Sequence, residues 1–448
     1  MQRISVKDVV EATRGELICG DLNKIISNVS TDSRTLDGDT LFVPIVGERF
    51  DGHDFTGSSQ LYITARDEKP QDNKCIIKVN DTLLAFGKIA GFYKQKYNRP
   101  TISVVGSVGK TTTRDMTHSV MSAKYNTLKT CKNFNNNIGV PIMIFKLENE
   151  HEAAVLELGM SGFGEIEYLA DIVRPDTVIM TNIGMSHIEN LGSQEGIFKA
   201  KTEFLKFFTK DNTVIANGDD DFLKNVDKLG DFKTIYYGIN NPACEVKALN
   251  IKDKGLDGCE FDISYNGEEY HVRLFIPGSH NIYNALAAFT AGVIHGVDPQ
   301  LAAEALGGVS FTEMRMDIST VSGLKIINDC YNAAPSSVKA ALDVLSKAEG
   351  RKVAVLGDIL EMGSYAKDAH IELGRVAATK TDVLVCVGEN GAYIGQGALG
   401  MDKLYTFDTT DKAAKTINSI IEHGDTILLK ASRGMHFEKI FNAITEGR

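Results

Sequence analysis

Short apolar runs alternate along most of the chain with stretches whose apolar positions recur every three to four residues. The first pattern suits strands buried on both faces, the second the helices that cover them. In the middle of the chain, residues 101–105, 153–158, 177–183 and 213–217 read as strands, with helical patterns over 113–124, 164–173 and 196–208. Residues 244–276 change to strand periodicity around Asn266-Gly267, a hairpin turn. Residues 278–284 then open an alanine-rich helix over 285–294. From about residue 313 the alternation resumes, with strands at 325–328, 353–356, 383–387 and 426–430 and helices at 336–347, 366–379 and 410–422. The start of the chain is less regular: a helix over 6–13, strands at 25–30 and 41–45, a helix over 83–96, and Arg99-Pro100 as a linker.

These elements predict an α/β fold of three domains, at 1–98, 99–312 and 313–448. The central one reads as a P-loop ATPase domain on a parallel sheet. It is flanked by a small N-terminal mixed α/β domain and a C-terminal Rossmann-like domain. The last lacks a Gly-x-Gly-x-x-Gly, so it is assigned no dinucleotide.

The P-loop expectation rests on Gly106-Ser107-Val108-Gly109-Lys110-Thr111-Thr112-Thr113, which follows the strand at 101–105 and enters a helix. In that order, backbone N–H groups of the loop and helix start point at one place, and Lys110 adds a positive charge. Thr111 offers a hydroxyl to a phosphate-bound Mg²⁺. Val104 stands where the usual pattern has its first glycine. Ligands of parallel sheets collect at strand C-ends. Glu157, Asn182 and His187 lie at or just past such ends. Thr111 and Glu157 are natural Mg²⁺ positions. His187 is open between a second divalent ion and a helix cap, and Lys199 and Lys201 read from sequence as solvated lysines.

Charge narrows the partners. A formal net charge of −11 argues against non-specific nucleic-acid binding and against an anionic membrane surface. Seven cysteines without a Cys-x-x-Cys pair argue against a disulfide or zinc framework. There is no apolar signal core, and no apolar run approaches the ~18 residues of a span. A soluble cytoplasmic protein is therefore expected. The residues alone carry the reading to an ATP-dependent phosphoryl-transfer enzyme: a kinase, a ligase or a motor ATPase.

Further motifs give a family resemblance. With the loop stand Asn133-Phe134-Asn135-Asn136, Ile138-Gly139-Val140-Pro141, Glu157-Leu158-Gly159-Met160, Asn182-Ile183-Gly184-x-Ser186-His187, His280-Asn281-x-x-Asn284 and Met314-Arg315. Together they resemble the Mur ligases over essentially the whole chain, with Lys132, Asn137 and Ala334 as departures.

The resemblance implies an ATP-dependent amide ligase, ADP-forming and monomeric. Its substrates would be UDP-N-acetylmuramoyl-tripeptide and D-alanyl-D-alanine, used in cytoplasmic peptidoglycan precursor synthesis. It implies ATP on Gly106, Ser107, Val108, Gly109, Lys110, Thr111, Thr112, Asn281, Arg315 and Asp329. Two Mg²⁺ are implied, on Thr111, Glu157, His187 and a carbamylated Lys201. The catalytic group would be Lys110, Glu157, His187 and Lys201. Ser33, Arg34, Gly47, Glu48, Asp51 and His53 would bind the uridine diphosphate, with Asn135 and Asn136 also on substrate. Domain 1–98 would bind the UDP-sugar, and domain 313–448 would be the ligase domain. A sister ligase adding one amino acid, a folylpolyglutamate-synthase-like enzyme and a silent nucleotide-binding scaffold are the alternatives.

Overall fold

A computed structural model describes residues 1–446. Its three main sheets each come from one part of the chain. In the first, strands Asn28–Ser30, Thr40–Phe42, Leu61–Thr64 and Cys75–Lys78 are parallel, and Glu16–Cys19 pairs antiparallel at one edge. The expected strand over 25–30 is two pieces, because Ile25–Ile26 turns away to pair with Ile4–Ser5. The strand expected over 41–45 stops at Phe42, and Pro44, lacking an N–H, cannot extend a ladder.

The central sheet has nine strands. Seven are parallel, and the hairpin Cys259–Tyr265 and Glu268–Leu274 extends one edge with Asn266 and Gly267 left-handed at its turn. Thr101–Val105 lies between Ala153–Glu157 and Thr177–Met180. After Thr101–Val105 the chain first builds the Ala153–Glu157 side and then crosses to build the Thr177–Met180 side. The C-end of Thr101–Val105 is thus a topological switch point, where strand-end loops part and leave a crevice. The loop of interest leaves from there. Val104 is fully buried mid-strand, so the missing glycine belongs to the sheet and the loop is correspondingly short.

The third sheet is parallel across Leu324–Asn328, Thr426–Lys430, Lys352–Gly357, Val383–Val387 and Leu404–Phe407, with Asp317–Val321 antiparallel at one edge. Helices differ from expectation mostly at their ends. The helix expected over 113–124 is Lys110–Ser122, so Lys110 sits in its first turn. The helix expected over 285–294 begins at His280, which puts Asn281 and Asn284 one turn apart on one face. The helix expected over 196–208 is Gln194–Lys201 followed by a 3₁₀ turn, Glu203–Phe207. The one expected over 410–422 ends at Thr416 and tightens into the 3₁₀ turn Ile417–Ser419. No helix of the described residues is long and apolar enough to cross a membrane.

Candidate active site

The loop at the switch point is held largely by its neighbours. Asn182 clamps it from the next strand end: its Oδ1 accepts from Val108 N at 3.1 Å, and its Nδ2 donates to the Val108 carbonyl at 3.0 Å. Thr181 Oγ1 donates to the same carbonyl at 2.7 Å, and Ser107 Oγ accepts from Gly184 N at 2.8 Å. Two positions require glycine. Gly106 has φ +150°, and a Cβ there would lie 1.8 Å from Thr181 Oγ1. Gly109 has φ +83°, and a Cβ there would lie 2.8 Å from Asn284 Oδ1. Lys110 folds back over the loop and donates to the Gly106 carbonyl at 2.9 Å. Burial lowers its pKa, Glu157 opposes that, and the Arg315 charge adds to it. A cation destabilised by burial and by a second cation is a place where a polyanion binds well.

Glu157 ends its strand facing this loop and is buried. Its Oε2 accepts from Thr111 Oγ1 at 2.9 Å, and its Oε1 accepts from Asn135 Nδ2 at 2.8 Å. Arg114, one turn along the helix from Lys110, lies 3.6 Å from Glu157 Oε2. An oxygen pair of this kind, hydroxyl plus carboxylate, suits a hard cation such as Mg²⁺.

The other wall of the crevice comes from residues after 313. Arg315 Nη2 donates to Thr111 Oγ1 at 3.3 Å, and its guanidinium lies over the Tyr331 ring at 4.2 Å. Its buried Nε has no partner among the described residues, a donor left for an anion. Asp329 follows Leu324–Asn328, and its Oδ2 is 2.5 Å from Lys430 Nζ. The phosphate loop, Glu157, Asn281, Arg315 and Asp329 enclose a cleft of about 410 Å³.

Two family models match the chain, the Mur ligase middle domain over residues 104–292 and the Mur ligase, glutamate ligase domain over 314–433. A Bacillus subtilis protein, UDP-N-acetylmuramoyl-tripeptide–D-alanyl-D-alanine ligase, is 38% identical, the match covering 100% of this chain and 99% of the relative. The chain belongs to the Mur ligase family. An Escherichia coli ligase of the same description is 31% identical, with 100% and 99% covered. A crystal structure of MurF from Acinetobacter baumannii superposes with a TM-score of 0.93 at 30% identity, covering 100% of this chain and 99% of that one.

In this Mur ligase the remaining expected site residues fall into three groups. Lys201 is buried at 2% exposure, whereas Lys199 on the same helix is exposed. The reading of both as solvated lysines is therefore corrected for Lys201. Burial, and then the Lys110 charge, push its pKa well below that of a free lysine. His187 is half-buried, and its Nδ1 is bound to Glu361 of the third domain. Neither Lys201 nor His187 lines the 410 Å³ cleft.

The second group is in the first domain. The turns Ser33–Thr35 and Gly52–Ser58 pack together. Arg34 is on the surface, paired with Asp32 at 2.7 Å. Gly47 N donates to the Phe50 carbonyl at 2.9 Å, which closes the loop, and Glu48 is exposed. His53 Nε2 accepts from Ala65 N at 3.1 Å, so Nδ1 carries the proton and donates to Asp51 at 2.7 Å. Asp51 and His53 thus shape the loop. The third group is Asn135 and Asn136. Asn135 braces Glu157, and Asn136 Oδ1 accepts from Gly139 N at 2.8 Å, capping the helix Gly139–Phe145.

Lys430 and Asp220 were not singled out from sequence, and His280 stood there only as part of a motif. Lys430 Nζ also bonds the Asn332 carbonyl at 3.1 Å and so ties down the loop after Asp329. His280 lines the cleft, and burial drops its pKa to about 4, so it is a neutral imidazole at neutral pH. Asp220 accepts from Ile183 N at 2.9 Å and holds the 182–187 segment. The Lys-Ala-Ser and Asn-Gly-Asp-Asp runs past two strand ends were the available signals for Lys430 and Asp220.

Proposed function

We propose that this Mur ligase joins D-alanyl-D-alanine to UDP-N-acetylmuramoyl-tripeptide, consuming ATP and releasing ADP and phosphate, in cytoplasmic peptidoglycan precursor synthesis. The observation that carries it is the full-length 38% identity to a relative of that description. Every group the reaction needs comes from one chain, which supports a monomer as the working unit.

A carboxylate is a poor electrophile toward an amine at neutral pH, so it must be activated. The terminal carboxylate of the tripeptide attacks the γ-phosphorus of ATP in line. The bond to the β-phosphate oxygen breaks, leaving ADP and an acyl phosphate. The free amine of the dipeptide then attacks the acyl carbon, loses its proton, and phosphate departs as the amide forms. Lys110 and the loop amides offset charge on the transferring group. Arg315, with its unpartnered Nε, adds a second cation beside Thr111. Asn281 and Asp329, on facing walls, hold the base and ribose ends. Docking of the third domain over the cleft excludes water from the acyl phosphate. The uridine diphosphate would lie on Ser33, Arg34, Gly47, Glu48, Asp51 and His53, where Arg34 offers a surface cation. Asn135 and Asn136 face the same side of Glu157 as the tripeptide end in this reading.

The residues fit two divalent ions in different ways. Among the described residues no three His, Cys, Asp or Glu side chains converge into a ready cage. Mg²⁺ seldom needs one, since phosphates and water complete its shell around one or two protein oxygens. Thr111 and Glu157 would hold one ion. His187 and Lys201 would hold the second if Lys201 carries a carbamate, and burial, which pushes the Lys201 pKa well below that of a free lysine, favours the uncharged amine, the form that adds CO₂. Such ions supply charge neutralisation on the phosphates.

Two measurements test this. ADP release should require UDP-muramoyl-tripeptide and D-alanyl-D-alanine together. Release with UDP-muramoyl-dipeptide and one amino acid would instead make it a sister ligase. For Lys201, enzyme equilibrated with ¹³C-bicarbonate should show a carbamate resonance that Lys201→Ala lacks. A spectrum identical for both proteins would remove the carbamate from the site.

A further inference from the structure

His187 and Glu361 meet side chain to side chain across the boundary between the central and third domains. The contact continues along the backbone. Glu189 N donates to the Glu361 carbonyl at 3.3 Å, and Tyr365 Oη donates to the Gly192 carbonyl at 3.4 Å. Both partners have left-handed backbones, with φ +63° at His187 and +61° at Glu361. For a non-glycine residue such a position is uncommon. The side chains are 22% and 49% exposed. A side-chain contact so open to water adds little to stability. A purely structural role therefore leaves this contact across the boundary unexplained.

A positioning role explains it. With Nδ1–H given to a carboxylate, the imidazole is fixed in orientation and in tautomer, and Nε2 is left as the lone-pair nitrogen. That is the state of a histidine poised to ligate a metal, in which the carboxylate also raises the basicity of the ligating nitrogen. We propose that Glu361 is a positioning residue for His187, delivered by the third domain, so that the second divalent-ion site is completed only when that domain docks. This rests on the reading above that His187 holds a divalent ion. Linkage then runs both ways: docking raises ion affinity, and ion binding favours docking by the same factor.

The test is Mn²⁺ binding to the full-length enzyme with β,γ-methylene-ATP present, followed by electron paramagnetic resonance. Small-angle scattering is taken with and without Mn²⁺. Glu361→Ala should weaken one of two Mn²⁺ by about 10–100-fold, and the Mn²⁺-dependent compaction seen in the wild type should disappear. Glu361→Gln, whose amide oxygen still accepts from Nδ1–H, should lose less. The thermal midpoint should be unchanged in both, because Glu361 is at the surface. If Glu361→Ala binds both ions like the wild type while His187→Ala loses one, the role of Glu361 is wrong and the ion reading stands. If His187→Ala also binds both ions normally, His187 is not a ligand and both ideas fall.

Discussion

Lys110→Ala is expected to lower kcat/KM for ADP-forming ligation by about 10²–10³-fold or more, with no loss of thermal stability. Two arguments combine. The ammonium lies over the loop on the Gly106 carbonyl and lines the cleft, so in the proposed reaction its charge would bear on the transferring phosphoryl group, not on the fold. Its burial and the Arg315 charge already push its pKa down, so the empty enzyme gains little from having it there. Deleting a structural lysine would lower the melting temperature and spare turnover, the reverse of this expectation. Lys110→Arg should recover little, since a planar fork cannot occupy the space of a point charge folded back on the Gly106 carbonyl. Near-normal phosphate release by Lys110→Ala would overturn the assignment of the loop.

Arg114→Ala is expected to destabilise the protein by about 3–5 kcal/mol at neutral pH, the cost of breaking a buried ion pair from one side. Arg114 and Asp115 are each 1% exposed. The guanidinium lies 2.7 Å from Asp115 Oδ1 and donates to Thr312 Oγ1 at 2.6 Å. Lys129 Nζ is 2.9 Å from the same Oδ1, and Thr312 donates to Oδ2 through both its N–H and its hydroxyl. Burial alone raises the pKa of Asp115. The Arg114 charge, together with the Lys129 and Arg114 hydrogen bonds, outweighs it, and the folded value lies below that of a free aspartate. A depressed folded pKa gives stability that is present above the unfolded pKa of about 3.9 and lost as pH falls through the folded value. The gap between wild type and Arg114→Ala should therefore narrow as urea melts, followed by circular dichroism, are taken from pH 7 down toward pH 3. A gap that stays constant over that range would mean that the loss is one of packing rather than of charge.

What could be read from the sequence was local. The loop at 106–113 announces itself because its glycines, lysine and flanking strand are contiguous. The Asn266-Gly267 hairpin does so through two residues that tolerate left-handed backbone. What was missed depends on partners far along the chain. Lys430 meets Asp329 because Asn328 and Leu429 are register partners on adjacent parallel strands, a fact of topology that no window of sequence carries. Arg114 carries no local signal, because its partner Thr312 lies almost two hundred positions away. Lys199 and Lys201 are two residues apart, about 200° around a helix. Composition cannot say which faces in, and the pattern of Ile197 and Ala200 would have favoured the side of Lys201. Helix starts were placed late at Thr113 and Ala285 because their first turns carry the polar side chains that serve the cleft.

The anchoring of Thr312 has a mechanical consequence. It is tied by hydrogen bonds to Asp115 on the helix that carries Lys110, and Met314 and Met316, just beyond it, both hold left-handed backbones. A rotation of the third domain would therefore be absorbed within a few bonds of Arg315. Displacement grows with distance from a pivot, so Arg315 stays close to Thr111 through the swing, while Asp329 and Glu361 travel farther. In the proposed reaction the phosphates of a nucleotide would then be held while the domain is still apart, and Asp329 and the partner of His187 would arrive last.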